Sequence, residues 1–585
     1  MWIRRRESLV ILFALVMVMT ACTSETTTTT AGPDGEPTTT GETEPTGTTA
    51  AEGGTEGDRL VFGVTSPDVE TNNTNRGNAP DEYQLKPMYE NLIGSDPNTG
   101  AWIPMLAESW ELDENGSSLR FHLRQGVQFH GDWGEFTAED VLFTYEDLIN
   151  PPGALSDGAE IIRNAVESVE VADTYEVVFH LHEYNFEFLE AVGYGTSGMA
   201  IKSKADGESR ENYTEPPIEE APLAGTGPYQ FLERSPGVNV VFEAVPYDHW
   251  RINPEFQQLE MRFINEDSAR LSALLAGEIH ITELGSDLMA EAESQGMALV
   301  ESATPGRRMG MNFLGAYLTD PAACPDDATD HGREPENLMY ADSPMNDLEV
   351  RRAINKAIDR DALNAAFFGG TAEPTAMWYW QPDLAGWNPE WEDAFDEWLG
   401  YDPDAARQIL ADAGYAEGEI SIQMLATPDY AGPESADVVE AVAGMLNDVG
   451  IQTEILSLDP AQHRASREGG VFDFTAAMEF DDTRSEHITG FRPQGYGNNG
   501  AARGRAVESC LVDQIYEETL ITLDQDAQAE LYRELGDVVF DLVQHVALFR
   551  QPSYMVVNPD VVGSYTFPGA VIGVQYSHYE YVTKP

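Results

Sequence analysis

Gly193-Tyr194-Gly195-Thr196-Ser197-Gly198 has the G-x-G-x-x-G spacing that lets a backbone approach a dinucleotide pyrophosphate. That fingerprint needs a strand before it. Here a helix-like stretch, Phe186 to Val192, precedes it, so the segment reads as a loop. His180 and His182 would share one face of a strand, but no third ligand stands at a recognisable spacing, and ordinary strand histidines are expected. The acid-rich run Asp320 to Asp330 lacks the spacing of a calcium loop and reads as a surface insertion. No nucleophile with a placed base and no Walker loop occurs. These patterns argue for neither catalysis nor a metal, and no cofactor is expected. Loop aromatics stand out instead. Met377-Trp378-Tyr379-Trp380 follows a Gly- and Pro-rich stretch without periodicity, and two readings stand for Trp378 and Trp380: the wall of a ligand cleft, or packing of a subdomain. Trp387, Trp391 and Trp398 read as packing.

The three cysteines differ in context. Cys22 follows a basic cluster (Arg4 to Arg6) and an apolar run from Leu9 to Met19 closed by Thr20-Ala21, the layout of a signal peptide over residues 1–21. The run is shorter than the roughly 20 residues that cross a bilayer. Met19-Thr20-Ala21-Cys22 resembles a bacterial lipobox, so Cys22 is expected to be lipidated and to hold the chain at the outer face of the cell membrane. A single lipid chain holds weakly, which favours diacylation. From Cys22 to Asp58 the chain is rich in Thr, Gly, Pro and Glu and poor in large apolar residues, the composition of a flexible tether. Cys324 and Cys510 remain after processing. In an oxidising compartment such a pair reads as a disulfide rather than a metal site, provided the fold brings the two together.

The 585-residue chain carries a formal net charge of -68, and five of its 33 basic residues are lysines. A nucleic-acid partner is excluded, because phosphate binding needs a basic surface. The acids are spread along the chain, which fits a solvated acidic surface better than one acidic cleft.

The mass after the tether is too long for one core and implies two or three domains. Leu60 to Val64 reads as a first strand, and Leu85, Met88, Tyr89, Leu92 and Ile93 fall at helical spacing. Asn115-Gly116 separates two alternating runs, a hairpin signal. Thr137 and Asp140 form a capping-box pattern before a helix that ends at Pro151-Pro152. A second hairpin is expected about Ala172-Asp173. Farther on, one long helix is expected from Val350 to Phe368, and another opened by Asp402-Pro403 and closed by Gly414. Strands at 420–424 and 451–455 flank a helix at 436–449. This alternation argues for an α/β layer with parallel pairing.

Ordered blocks then bring in a resemblance. Tyr89-Glu90-Asn91-Leu92, Pro104 to Trp110, Leu119 to Gly131, Phe136 to Val141, Gly225-Thr226-Gly227-Pro228-Tyr229, Ala276 to Ile281 and Val350 to Arg360 are similar, in order, to the extracytoplasmic solute-binding proteins of ABC importers, in the cluster that takes up dipeptides, oligopeptides and nickel chelates. The resemblance covers nearly the whole chain after the tether. It implies an α/β, two-lobed periplasmic-binding-protein-like fold (class II, cluster C) with an additional small domain. The first lobe would use 59–103, 225–330 and 550–585, the extra domain 104–224, and the second lobe 331–549. It further implies a non-catalytic monomer that captures a peptide, or another small polar solute such as an oligosaccharide or metal chelate, between its lobes and delivers it to a membrane permease. In peptide-binding members of the family an Asp of the second lobe pairs with the peptide amine. Asp482 fits that position and Asp481 is second, although Glu479 stands where the family has Trp and Thr483-Arg484 replaces its "DP". Trp378 lies in a stretch similar to the dipeptide subgroup's, Tyr496 in one similar to the loop bordering the cleft, and Arg484 is a candidate for a ligand carboxylate.

Overall fold

The computed structural model describes residues 58–585, apart from 68–69, 76–82, 150–156, 183, 186, 194–198, 212, 214–216, 306, 321–322, 326–327, 383–385, 427–433, 459–461, 463–465, 467–472, 485–505 and 570–576. The signal segment, Cys22, nearly all of the 22–58 tether, most of the 193–198 glycine stretch and Tyr496 lie outside the described residues.

Three larger sheets organise the chain. The first has seven strands, in the order 298–301, 554–557, 281–282, 59–64, 258–263, 239–244 and 229–235. Arg59–Val64 runs parallel to both Gln258–Phe263 and Ile281–Thr282. The apolar run Leu60 to Val64 follows from burial on both faces. Leu60, Phe62 and Val64 enter one core with Phe242, Met261 and Met555, while Val61 packs with Leu271 and Leu274 of the helix Asp267–Leu275.

The helix expected from Leu85 to Ile93 is corrected to one 3-10 turn, Lys86–Met88, followed by the strand Ile93–Ser95. The cause lies in the Gly225-Thr226-Gly227 block. The Gly227 N–H donates to the Met88 carbonyl at 2.8 Å. A Cβ on Gly225 would sit 2.1 Å from that same oxygen, and one on Gly227 would sit 2.5 Å from the Pro87 carbonyl. Carbonyls that a helix would use internally are here turned toward a neighbouring backbone that only glycine allows so close.

The segment between holds a four-stranded sheet, in the order 107–112, 118–123, 176–181 and 166–173. Gly116 turns the first hairpin with φ +70°. Asp113 fixes that turn by accepting from the Ser117 and Ser118 N–H groups at 2.7 and 3.2 Å. The second hairpin turns at Thr174-Tyr175, beyond the expected Ala172-Asp173, because Asp173 still pairs with Glu176. The helix Ala138–Ile149 starts as expected, with the Asp140 carboxylate accepting from the Thr137 N–H at 2.9 Å.

The third large sheet has six strands, in the order 373–374, 545–551, 307–314, 477–484, 421–426 and 452–457, and helices on both faces share one core with it. Ser421–Ala426 is parallel to Gln452–Ser457 and to Ala477–Arg484. Arg307–Leu314 belongs to this second-lobe sheet, so the change of lobe falls before Arg307 and not near 330. All eight residues of this strand are buried and paired with 477–484, and six of them also pair with 545–551, which only a central position in the sheet provides. The expected helix Val350 to Phe368 is two helices, Leu348–Ala357 and Arg360–Phe367. Between them Ile358 is extended and the Asp359 carboxylate caps the second by accepting from the Ala362 N–H at 2.9 Å, a cap strong enough to break a continuous apolar pattern. The Asp402-Pro403 start is present, with Asp402 accepting from the Ala405 N–H at 2.9 Å.

The chain crosses between the seven- and six-stranded sheets after Glu301, before Arg307, and again at 552–553. These connections run side by side, since Ala298–Glu301 pairs with Tyr554–Val557 on one side and Arg307–Leu314 with His545–Gln551 on the other. Cys324 and Cys510 are disulfide-bonded, with Cα atoms 5.4 Å apart. The bond joins the acid-rich loop to the first residue of the helix Cys510–Ile521.

Candidate functional site

In α/β sheets, ligands bind outside the carboxyl ends of parallel strands, where the connections diverge. Both lobes present such ends. In the first they are the stretches after Val64, Phe263 and Thr282. Hydrogen bonds tie them together: the Ile264 N–H donates to the Val64 carbonyl at 2.7 Å and the Ser66 N–H to Asn265 Oδ1 at 2.8 Å. In the second lobe the parallel strands end at Ala426, Ser457 and Arg484. Ser286 and Glu434 connect the two sets. Ser286 opens the helix Ser286–Ser294 just past the end of Ile281–Thr282, and Glu434 precedes the helix Ser435–Asp448. The Ser286 hydroxyl donates to Glu434 Oε1 at 3.3 Å, and Arg307 Nη2 donates to Glu434 Oε2 at 2.8 Å. The candidate site is accordingly sought between the two sheets, where Ser286, Glu434 and Arg307 meet beside one connection.

Arg307 and Glu434 are both buried, with side chains 6% and 8% exposed. Burying the two together is tolerable because each neutralises the other, whereas removing one would strand a charge away from water. Ser286, Arg307 and Glu434 were not legible as site residues. Each is one polar residue at the end of an element, and sequence separations of up to 148 residues leave no local pattern.

The expected site residues separate. Trp378 and Trp380 are 2% and 4% exposed, so neither indole is presented to a solute in this conformation; the packing alternative describes both. Trp378 lies on the backbone of Gly310, where a Cβ would come 2.6 Å from the ring, and donates to the Arg308 carbonyl at 3.2 Å. It also stacks on Tyr379 at 4.8 Å and meets the edge of His545 at 5.3 Å. Trp380 donates to the Tyr532 carbonyl at 3.0 Å and packs edge-on to Trp391 at 5.8 Å, between helices rather than beside the cleft.

Asp481 stands opposite Gly310 in the ladder, partly exposed, and accepts a long hydrogen bond from Asn312 at 3.4 Å. Asp482 stands opposite Met309 and Arg484 opposite Arg307, on the strand that ends toward the cleft. Their side chains, with Tyr496, lie outside the described residues. Arg308 is 1% exposed, and its guanidinium donates to the Tyr379 carbonyl at 3.0 Å. Burial pushes the His545 imidazole down to about 3, so this ring is neutral at ordinary pH. Among the described residues no cluster of three or more His, Cys, Asp or Glu is placed to hold a metal ion. His180 pairs with Glu170 at 3.1 Å on the outer face of the four-stranded sheet.

Comparison with known proteins agrees with this architecture. The family model described as bacterial extracellular solute-binding proteins, family 5 (middle), matches residues 101–499. Di/tripeptide-binding protein 2 of Pseudomonas aeruginosa is 27% identical over 385 residues, covering 63% of this chain and 66% of that protein, just under two thirds of its length. Heme-binding protein A of Haemophilus influenzae is 23% identical over 498 residues, 81% of this chain and 84% of that one. The periplasmic binding protein DppA of Helicobacter pylori, solved with the peptide STSA, superposes with a TM-score of 0.70 over 90% of this chain and 98% of its own, at 21% identity. NikZ of Campylobacter jejuni, solved with Ni(L-His), gives a TM-score of 0.70 over 90% and 100%, at 17% identity. At those identities the superpositions show the fold, a two-lobed α/β binding protein. The family match spans more than half of the chain, and the chain belongs to the bacterial extracellular solute-binding proteins, family 5.

Proposed function

We propose that this protein captures peptides in the cleft between its lobes and delivers them to the membrane subunits of an ABC importer, binding without turnover. The observation that supports the reading is the two-sheet architecture together with the family match. Each lobe has a sheet with parallel strands, the two sheets are linked by two adjacent connections, and Ser286 of one side bonds Glu434 of the other, in a family whose similar members include several named for di- and tripeptides. A carboxylate of the Asp481-Asp482 pair would take the peptide amine. The pairing would strengthen as closure removes water. Arg484 is the proposed partner for a solute carboxylate. In this reading Cys22 is lipidated, residues 22–58 tether a monomer to the cell surface, and the tether keeps it at high local concentration near its permease. Thermal unfolding in the presence of a di- to pentapeptide mixture tests the reading. A raised midpoint supports it, and no shift with any peptide counts against it.

A second reading keeps the receptor role with a different solute. Glu479 replaces the family's Trp and is buried at 3% exposure, so the strand leading to the amine position differs from the peptide pattern. The names of Heme-binding protein A and NikZ record haem and nickel chelates as cargo within similar proteins. A metal chelate or oligosaccharide that raises the midpoint where peptides do not would select this reading.

A further inference from the structure

The four-stranded unit approaches the second lobe closely at a point separate from the two connecting strands. A Cβ built on Gly116, in the Asp113–Ser118 turn, would lie 2.9 Å from Tyr184 Cβ and 3.2 Å from Leu523 Cδ2. Gly116 and Tyr184 belong to the four-stranded unit. Leu523 stands at the corner between Cys510–Ile521 and Gln525–Leu542, two helices of the second-lobe core. Nothing covalent near this point joins the two sides.

Both partners are fixed in advance. On one side the Asp113 carboxylate accepts from the Ser117 N–H and hydroxyl at 2.7 Å each, and hydrogen bonding to Ser117 holds its pKa low. Gly116 has φ +70° and supplies a surface without a side chain. On the other side Asp524 caps the second helix by accepting from the Ala527 N–H at 2.9 Å, Thr522 donates back to the Glu518 carbonyl at 2.6 Å, and Gln528 donates to the Thr519 carbonyl at 3.1 Å. The far end of the first helix is held by the Cys324–Cys510 bond. A contact between two preorganised surfaces spends little entropy when it forms. Leu523 remains 42% exposed, so the contact is small enough to be released.

We infer that Leu523 and the Asn115-Gly116 turn form a latch that biases the solute-free protein toward the lobe arrangement described here, so that Leu523 is a positioning residue that raises solute affinity without touching solute. The apparent dissociation constant of a cleft protein is its intrinsic value divided by the fraction already competent to bind. A contact that exists only when the lobes are together therefore acts through that fraction. This rests on the proposed capture of solute between the lobes.

The test measures distances between spin labels at Ser168→Cys and Asp404→Cys, one on each side, in the full chain without solute. The latch predicts that Leu523→Asp broadens the distribution toward longer separations while Val238→Asp, an exposed apolar site remote in sequence from the latch, does not. If Leu523→Asp fails to fold, as judged by circular dichroism, Leu523→Ala replaces it, with a smaller shift expected. Identical distributions for the folded variant and the parent would overturn the latch. Titration with a di- and tripeptide mixture adds the affinity arm, where Leu523→Ala should weaken binding by about three- to tenfold. Absence of peptide binding to every variant would count against the peptide reading, and the solute-free distances would still decide the latch.

Discussion

Ser302 and Ser553 bond to each other where the two connections between the lobes run side by side. The Ser302 N–H donates to the Ser553 carbonyl at 2.9 Å, and the Ser553 N–H donates to Ser302 Oγ at 2.9 Å. Both are buried, and the Ser302 hydroxyl donates onward to the Thr304 carbonyl at 2.8 Å. The lobes are thus joined by a ribbon held at its midpoint, the place where a hinge rotation would concentrate. Ser302→Ala removes the acceptor of a buried N–H and should destabilise by about 1–3 kcal/mol in urea unfolding. An unchanged midpoint would show that water reaches the ribbon.

Gly225→Ala probes the close backbone approach that replaces the expected helix at 85–93. The new methyl would meet the Met88 carbonyl at 2.1 Å and the buried Tyr89 ring at 2.7 Å, and the nearer of the two is backbone that cannot swing aside. A loss of about 3 kcal/mol or more is expected. A change below about 1 kcal/mol would mean that the two segments separate readily.

Acid should destabilise the protein through buried neutral histidines. Burial pushes His130 and His578 down to about 4, and His545 to about 3. Unfolded histidine titrates near 6.5, so between about pH 6.5 and 4 the unfolded chain binds more protons than the native one. Stability should fall as pH drops through that window, and the His545 contribution should continue toward 3. Equilibrium unfolding at pH 7.5, 6 and 5 checks the slope; a flat profile would contradict neutral burial.

The formal net charge of -68 predicts salt-dependent stability, because self-repulsion among spread acids is screened within roughly 10 Å at 0.1 M salt. The unfolding midpoint should rise by about 5 °C from about 0.05 to 1 M sodium chloride. A falling midpoint would indicate that ion pairs such as Arg251 with Glu90 and Glu580 outweigh the repulsion.

Local signals in the sequence read well where one short segment decides the outcome. The Thr137–Asp140 cap, the Gly116 turn and the Asp402-Pro403 helix start all depend on residues a few positions apart. Reading failed where distant backbone decided. The 85–93 stretch has helical periodicity, yet Gly227 takes the Met88 carbonyl, and Gly225 presses against it, from more than 130 positions away. The Val350 to Phe368 pattern is continuous in apolarity and still breaks at Asp359, because a cap competes with periodicity. The proposal for Asp481 and Asp482 rests on a family motif on one strand. Ser286, Arg307 and Glu434 were not legible, because their grouping exists only once two lobes are assembled. The aromatic loop left two readings open in the sequence, because lack of periodicity fits a ligand wall and a packed subdomain alike; in the structure Trp378 and Trp380 fill space against Gly310 and Gly536.

For the proposed amine site, Asp482→Asn and Asp481→Asn separate the two candidates. Loss of the ionised partner should weaken an amine-bearing peptide by about threefold to a hundredfold for the residue that holds it, and leave the N-acetylated peptide unaffected. Isothermal titration of both variants against both ligands reads this out, and equal affinities throughout would remove the role from the pair.

Native mass spectrometry of the purified protein bears most directly on the central claim, since a closed cleft retains its solute through purification. The account predicts one bound peptide per chain, released on denaturation and replaced by a peptide from an added di- to pentapeptide mixture. A protein that retains an oligosaccharide or a metal chelate and exchanges it for no peptide would contradict it.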